Sequence, residues 1–434
     1  MTTGEGYAPG YTPLRAWWAV LVIVLFQIVS LIDRTVIAVL IPEMRADLGL
    51  NDFQLSLIQG MAFALFYGAM GLVIGGLVDR WSRRGIMFAG ITLWSLAAAA
   101  TGLARNYAQL FGARLLVGFG EGAISPAAQS LLSGIFPRHR LATPMSCFVA
   151  AGVAGIGLSF ALGGFLLDHF TRSPLGGPLE GLAPWRQVLV VTGLPGVLIG
   201  LLAFSFREPA RASVQGAGAG WGVFFAHLRR HARLIGGMMG GYLLAAMATQ
   251  GTMIWAPTYA RRVLDMGATE VGAMMGLAVT LGGIVGGLSM GLLVDRLFGR
   301  GIRDAALRLY FWMLLLAPPL VALGILAGSA QVMFLAILLL MLTVGASFGP
   351  ALTAVQMVSP PEMRGRFGAL AVLVSNLGGL ALGPMLIGGL TDYVFADPDR
   401  IGWSITLSLV VLGAAAAALI AWARPAYSER MREM

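Results

Sequence analysis

Apolar residues run through this chain in about a dozen blocks, each about the length of a bilayer crossing and separated by short polar turns. The blocks fall near 16–41, 53–78, 85–104, 107–135, 144–167 and 187–206, then 234–258, 270–294, 307–326, 331–357, 367–390 and 403–423. A bilayer-crossing helix needs roughly 20 apolar residues. Lipid offers the backbone no hydrogen bonds, so only helices or a closed barrel cross it, and these runs are too long and continuous for barrel strands. The pattern therefore predicts an all-α integral membrane protein with twelve transmembrane helices in two pseudo-symmetric six-helix bundles. The first block has no small-residue cleavage site after it and is expected to stay as a helix. The one long polar break divides the chain into a bundle at 1–206, a cytoplasmic linker at 207–233 and a second bundle at 234–434. Inside the linker, Gln215-Gly-Ala-Gly-Ala-Gly220 is built for flexibility. It precedes Trp221, Phe224, Phe225 and Leu228, whose spacing predicts a short helix on the cytoplasmic membrane surface with Arg229 and Arg230 beside it.

Composition sharpens this picture. Only 11% of residues are charged and 58% are hydrophobic, more apolar material than one soluble core could hide. All 29 basic residues are arginine. With the N-terminus inside, most of them fall in inner loops and tails, which places both termini in the cytoplasm. The net charge of +9 then faces anionic inner-leaflet lipid and calls for no nucleic-acid partner. A single cysteine, Cys147, excludes an intrachain disulfide. The segment Gly75-Gly-Leu-Val-Asp-Arg80 returns in the second half as Gly291-Leu-Leu-Val-Asp-Arg296, each copy following the second long apolar block of its half. Asp79, Arg80, Arg83 and Arg84, with Asp295 and Arg296 in the second copy, read as cytoplasmic latches of a duplicated carrier that rocks between open-in and open-out states.

Four ionisable residues remain at membrane depth: Asp33 and Arg34 in the first block, Arg114 and Glu121 in the fourth. Each buried charge costs roughly 2.5–3.5 kcal/mol on insertion scales, so they are expected to share a polar cavity and pair with one another. Arg114 and Glu121 lie two helical turns apart on one face, Ser125 continues that stripe, and Gly118, Gly120 and Gly122 thin the helix beside them. A carboxylate in such a site carries protons, which makes Asp33 and Glu121 the coupling candidates and the proton the expected coupling ion, with no other cofactor. Arginine stays charged and donates bidentately, so Arg34 and Arg114 suit an anionic substrate group. The alternative is a pair of inert staples between the two helices. The second half offers neutral polar groups only: Gln250 and Trp255, with Thr249 beside them, then Gln356 and Asn376. Any of these could orient substrate or serve as glue between helices.

Other signals point nowhere further. Gly118-Phe-Gly-Glu-Gly122 sits mid-helix with no preceding strand, which excludes a nucleotide loop. His227 and His231 have helical spacing without a carboxylate ligand, so a metal site is not expected. No nucleophile stands with a base, and an enzyme reading has no site.

Gly75-Gly-Leu-Val-Asp-Arg-Trp-Ser-Arg-Arg84 resembles the loop signature of the major facilitator superfamily, with Ser82 where a glycine is usual, and Arg114-Leu-Leu-Val-Gly-Phe-Gly120 resembles its helix-four arginine motif. The Gly-Pro pair of the exporter motif is absent; Ser159-Phe160 stands there before Gly163-Gly164. Leu31-Ile-Asp-Arg34, Asp47-Leu-Gly-Leu with Gln54-Leu, Phe66-Tyr-Gly-Ala-Met-Gly71 and Gly120-Glu-Gly122 before Ser125-Pro126 resemble the bacterial Spinster-like branch, related to sphingolipid and lysophospholipid transporters. The resemblance implies the major facilitator fold, a bacterial inner-membrane location and proton-coupled transport of an amphipathic anionic molecule by a monomer. Asp33, Arg34, Arg114 and Glu121 would serve coupling and headgroup recognition, and Asp79, Arg80, Arg83 and Arg84 the inner gate. An organic-anion or sugar-acid symporter and a multidrug efflux carrier remain alternatives; a receptor or passive channel is the rival from another class.

Overall fold

The computed structural model describes residues 7–78, 81–209, 221–360 and 363–433. Twelve helical stretches run through them, and no strand occurs among the described residues. Nine stretches are long and apolar enough to cross a membrane. The other three, near 52–78, 107–135 and 232–262, include the one that carries Arg114 and Glu121 and the one that carries Thr249, Gln250, Thr252 and Thr258.

The first stretch is α1 (Pro13–Thr35) running on into α2 (Ile37–Leu48). Thr12 caps α1, its hydroxyl accepting from the Arg15 N–H, and Pro13 occupies the first turn, where its missing donor costs nothing. Gly49 ends α2 at φ +62, a left-handed position that glycine fills without a Cβ penalty. The second stretch joins α3 (Asp52–Ser56), a π turn at Leu57–Met61 and α4 (Ala62–Val78). The third is α5 (Arg83–Leu103), capped by Ser82. The fourth is split into α6 (Tyr107–Glu121) and α7 (Ile124–Ile135). Asn106 caps α6 by accepting from the Gln109 N–H at 2.9 Å, while the Gln109 side chain accepts from the Arg105 N–H at 2.7 Å. Next come α8 (Ala142–Arg172), then α9 (Pro184–Gly193) continuing through α10 (Pro195–Gly200).

A short α11 (Trp221–Arg230) falls within the 207–233 linker and leads into α12 (Ala232–Arg262). The remaining stretches are α13 (Ala268–Gly299), α14 (Ala305–Leu326), and α15 (Ala330–Leu340) joined by a π turn at Met341–Gly345 to α16 (Phe348–Val358). They are followed by α17 (Arg364–Asn376), a π turn at Leu377–Leu382, α18 (Gly383–Gly389), another π turn at Leu390–Phe395, and α19 (Ile401–Glu433). π turns widen a helix and expose backbone, and they concentrate where helices are functionally irregular.

Contacts divide the chain into two compact units. One holds Met1–Asn51, Leu57–Val214 and Gly267–Gly276; the other holds Asp52–Ser56, Gln215–Met266 and Leu277–Met434. In the first unit, α6 packs closely on α4 because Gly118 is bare: a Cβ there would lie 2.3 Å from the Phe63 carbonyl oxygen. The same device brings Gly120 against Gly90 and Trp94 of α5. This closeness positions the site described next.

Candidate functional site

The four charges at membrane depth converge within the first unit. Glu121, at the end of α6, is fully buried and accepts through Oε2 from Arg34 Nε at 2.9 Å, Arg34 Nη2 at 2.5 Å and the Ser30 hydroxyl at 2.9 Å. Arg34 also lies over two stacked rings of α4, with Cζ 4.4 Å from the Phe63 centroid and 4.8 Å from that of Tyr67. Arg114 does not pair with Glu121, although the spacing puts the two on one face. Its Nη1 donates to the Asp33 carbonyl at 3.3 Å and its Nη2 to the Arg34 carbonyl at 3.2 Å, clasping the α1 backbone. Asp33 receives the indole N–H of Trp94 at 3.2 Å. Asp33 Oδ1, Glu121 Oε1 and Arg114 Nε are buried without a hydrogen-bond partner among the described residues. Each such atom costs about 1–3 kcal/mol. The helix breaks after Glu121, where Ala123 N bonds Gly120 O at 3.2 Å, and Ser125 is half-buried in the first turn of α7.

In the second unit, Tyr242, Thr249 and Gln250 of α12, Tyr310 of α14, and Ser375 and Asn376 of α17 line a cavity of about 250 Å³, with no charged residue in its lining among the described residues. Val344 and Gly345 of one π turn complete the wall, and a second π turn begins at the residue after Asn376. Trp255 is not in this lining. It is buried in α12 and donates to the Pro384 carbonyl at 3.0 Å, holding α18. The side chain of Gln356 lies outside the described residues.

Asp79 and Arg80 also lie outside the described residues. The adjoining arginines grip the segment that follows α10. Arg83 is buried, donating its backbone N–H at 2.9 Å and Nε at 3.1 Å to Glu208, and Nη1 to the Ser130 carbonyl at 3.2 Å. The Ser82 hydroxyl donates to Glu208 at 2.7 Å, and Arg84 donates to the Phe206 carbonyl at 2.7 Å. Burial alone would raise the Glu208 pKa, but the bonds from the Arg83 backbone, Ser82 and the Arg83 guanidinium hold it below the ordinary carboxylate value. In the second copy, Asp295 and Arg296 stand exposed near the end of α13. The ion pair nearby is made by Asp304, which accepts from Arg424 at 2.8 Å and lies 3.4 Å from Arg308. At the opposite end of the second unit, buried Asp52 receives a fork from Arg262 at 2.8 and 3.0 Å, and Asp392 accepts the Phe53 N–H at 2.6 Å.

A helical membrane chain with a repeated latch sequence and a buried ionic cluster is what a carrier family would share, and residues 23–384 match the model of the Major Facilitator Superfamily. The chain belongs to that superfamily. It is 28% identical over 401 residues to an MFS-type efflux pump of Mycolicibacterium smegmatis, covering 90% of this chain and 88% of that one. It is 26% identical over 419 residues to protein spinster homolog 1 of Homo sapiens, covering 88% and 74% respectively. Among solved structures, a bacterial homologue of the human lysosomal transporter Spinster, inward-facing and unoccupied, superposes with a TM-score of 0.76 at 22% identity over 97% of both chains. The protein is therefore a non-enzymatic, multi-pass transporter of that superfamily, with Spinster proteins among its relatives.

Several partners in these networks are invisible to a reading of isolated charges. Trp94, Ser30, Phe63 and Tyr67 are ordinary transmembrane residues in the sequence. Glu208 in Arg207-Glu208-Pro209 was the one acidic residue between the sixth block and the linker glycines, and that isolation could have flagged it.

Proposed function

We propose that this protein is a proton-coupled carrier that moves an amphipathic, anionic small molecule, of lysophospholipid or sphingolipid type, across a bacterial inner membrane by alternating access. The observation that carries the reading is the buried group of two carboxylates and two arginines on α1 and α6, with one oxygen of each carboxylate left without a donor. Those free oxygens are where protons would enter and leave. Arg34 is half-committed, since a substrate phosphate or carboxylate could replace Glu121 on its guanidinium once Glu121 is protonated. Protonation and anion binding would then be linked through one arginine, which is the thermodynamic requirement for coupling.

The uncharged cavity of the second unit suits the hydroxyl, amide or ester groups of such a molecule, with Gln250 and Asn376 orienting it and Tyr242 and Tyr310 supplying apolar flanks. Arginines concentrated in inner loops support cytoplasmic termini. A second reading, export of an amphipathic drug, is favoured by likeness to the mycobacterial efflux pump and to the puromycin resistance protein of Streptomyces alboniger, 31% identical over 191 residues. The two separate in purified protein reconstituted with a pH-sensitive dye inside. Adding a lysophospholipid should acidify or alkalinise the lumen in a protein-dependent way. A proton signal with puromycin and none with lysophospholipid would favour drug export.

A further inference from the structure

The helix within the linker is held by a contact the transport reading does not use. Phe224 of α11 turns inward onto Phe367 of α17, ring centroids 5.1 Å apart, while Val223 and Phe225 face outward. One turn on, the His227 ring meets Phe367 in a T-shaped contact at 5.7 Å and lies tilted against His231 at 4.2 Å. His231 Nδ1 lies 3.1 Å from the His227 carbonyl oxygen, so this nitrogen carries the ring proton and Nε2 is left to take another. The two imidazoles, Ser359, Phe367 and Arg430 enclose a cavity of about 10 Å³, room for one water.

Among the described residues, the charged groups that line the cavity or bear on His227 are basic. Arg230 lies on α11 itself, Arg430 comes from α19, and Arg366 of α17 sits over the Phe224 ring at 6.0 Å; His231 caps the start of α12, and Ser359, just after α16, is neutral. No carboxylate of the described residues lines the cavity.

We infer that His227 and His231 form a cytoplasmic clasp that docks α11 while both rings are neutral and releases it when one of them takes a proton. An imidazolium would stand against a second imidazole and among arginines, with no carboxylate of the described residues in the cavity lining to neutralise it. Burial pushes the His227 pKa below the ordinary imidazole value, and His231, Arg430 and Arg230 push it further down. The sign follows from that direction. Docking is at full strength above the ordinary imidazole pKa of about 6.5, and it weakens as pH falls toward the lowered value of the docked state. Release also adds a charge to a helix already carrying exposed Arg229 and Arg230, which anionic inner-leaflet lipid attracts.

The test is a spin-label distance within the second unit, between cysteines placed at exposed Ala226 and at Ser428 of α19 in a C147S background, in nanodiscs of stated anionic lipid content. The docked distance should dominate at pH 8. A longer population should grow as pH falls below about 6.5, its ratio to the docked form rising up to about tenfold per pH unit for one proton. His227→Gln with His231→Gln should keep the docked distance at pH 5. His227→Arg should show the released distance already at pH 8, which separates charge from loss of packing. Glu121→Gln should leave the whole response unchanged, since the clasp is independent of the buried carboxylates. A distance that does not move between pH 8 and pH 5, or a double glutamine variant that follows the wild type, would overturn the inference.

Discussion

Glu121 takes its ion-pair partner from another helix: its Oε2 lies 2.5 Å from Arg34 Nη2, while Arg114, two turns back along its own helix, holds the carbonyls of Asp33 and Arg34. The cluster is thus a chain from α6 through α1 to Trp94 on α5, and loss of one member should be felt by the others. Removing one partner of a buried pair leaves an uncompensated charge and costs about 3–5 kcal/mol. Arg34→Ala should therefore lower thermal stability in detergent markedly, and Arg34→Ala with Glu121→Gln should recover much of that loss. A double variant no more stable than the single one would show that the pair is not coupled.

Asp52 and Arg262 make a bidentate pair with the carboxylate fully buried. Asp52→Asn keeps the shape and removes the charge, leaving Arg262 with the Pro398 carbonyl at 2.9 Å. The expected outcome is a loss of about 3–5 kcal/mol from this contact and faster labelling of a cysteine placed at Phe53. Labelling at the wild-type rate would mean the pair does not secure this end of α3.

Glu208 clamps the segment that follows α10 to the start of α5. Its lowered pKa means that the clamp on Ser82 and Arg83 is present above the ordinary carboxylate value and is lost as pH falls below it, through the still lower folded value. At neutral pH, Glu208→Gln should raise protease cleavage between α10 and α11 several-fold, whereas the wild type should reach that rate only in strong acid.

The neutral cavity of the second unit should affect affinity rather than coupling. Gln250→Ala and Asn376→Ala each remove a hydrogen bond worth about 0.5–1.5 kcal/mol, which corresponds to a roughly two- to tenfold weaker apparent affinity for substrate. The pH dependence of uptake should stay where it is. A shifted pH profile in either variant would move the coupling site into this unit.

Much of this architecture was legible in the chain because membrane helices obey one strong rule, that backbone polar groups must be satisfied within the segment. Length and hydropathy therefore marked the twelve stretches, and scarcity of charge at depth marked Asp33, Arg34, Arg114 and Glu121. Pairing was not legible. Helical spacing put Arg114 with Glu121, but the break after Glu121 and the bare Gly118 bring α6 close to α4, and the arginine that reaches the carboxylate is Arg34. Trp255 looked like a cavity residue and instead bonds the Pro384 carbonyl, because an indole N–H buried inside the protein needs an acceptor. Phe224 and Phe225 were read on one apolar face, yet Phe224 packs inward on Phe367 while Phe225 stays exposed. The π turns at Met341–Gly345 and Leu377–Leu382 that flank the neutral cavity carry no sequence signal that periodicity can read.

The most direct measurement is uptake of a fluorescent lysophospholipid into proteoliposomes, with and without an imposed pH gradient, for the wild type beside Glu121→Gln. The account expects wild-type uptake to follow the gradient and the variant to lose that dependence while still exchanging substrate in both directions. Wild-type uptake that ignores the gradient, or a variant that follows it as the wild type does, would contradict proton coupling through Glu121.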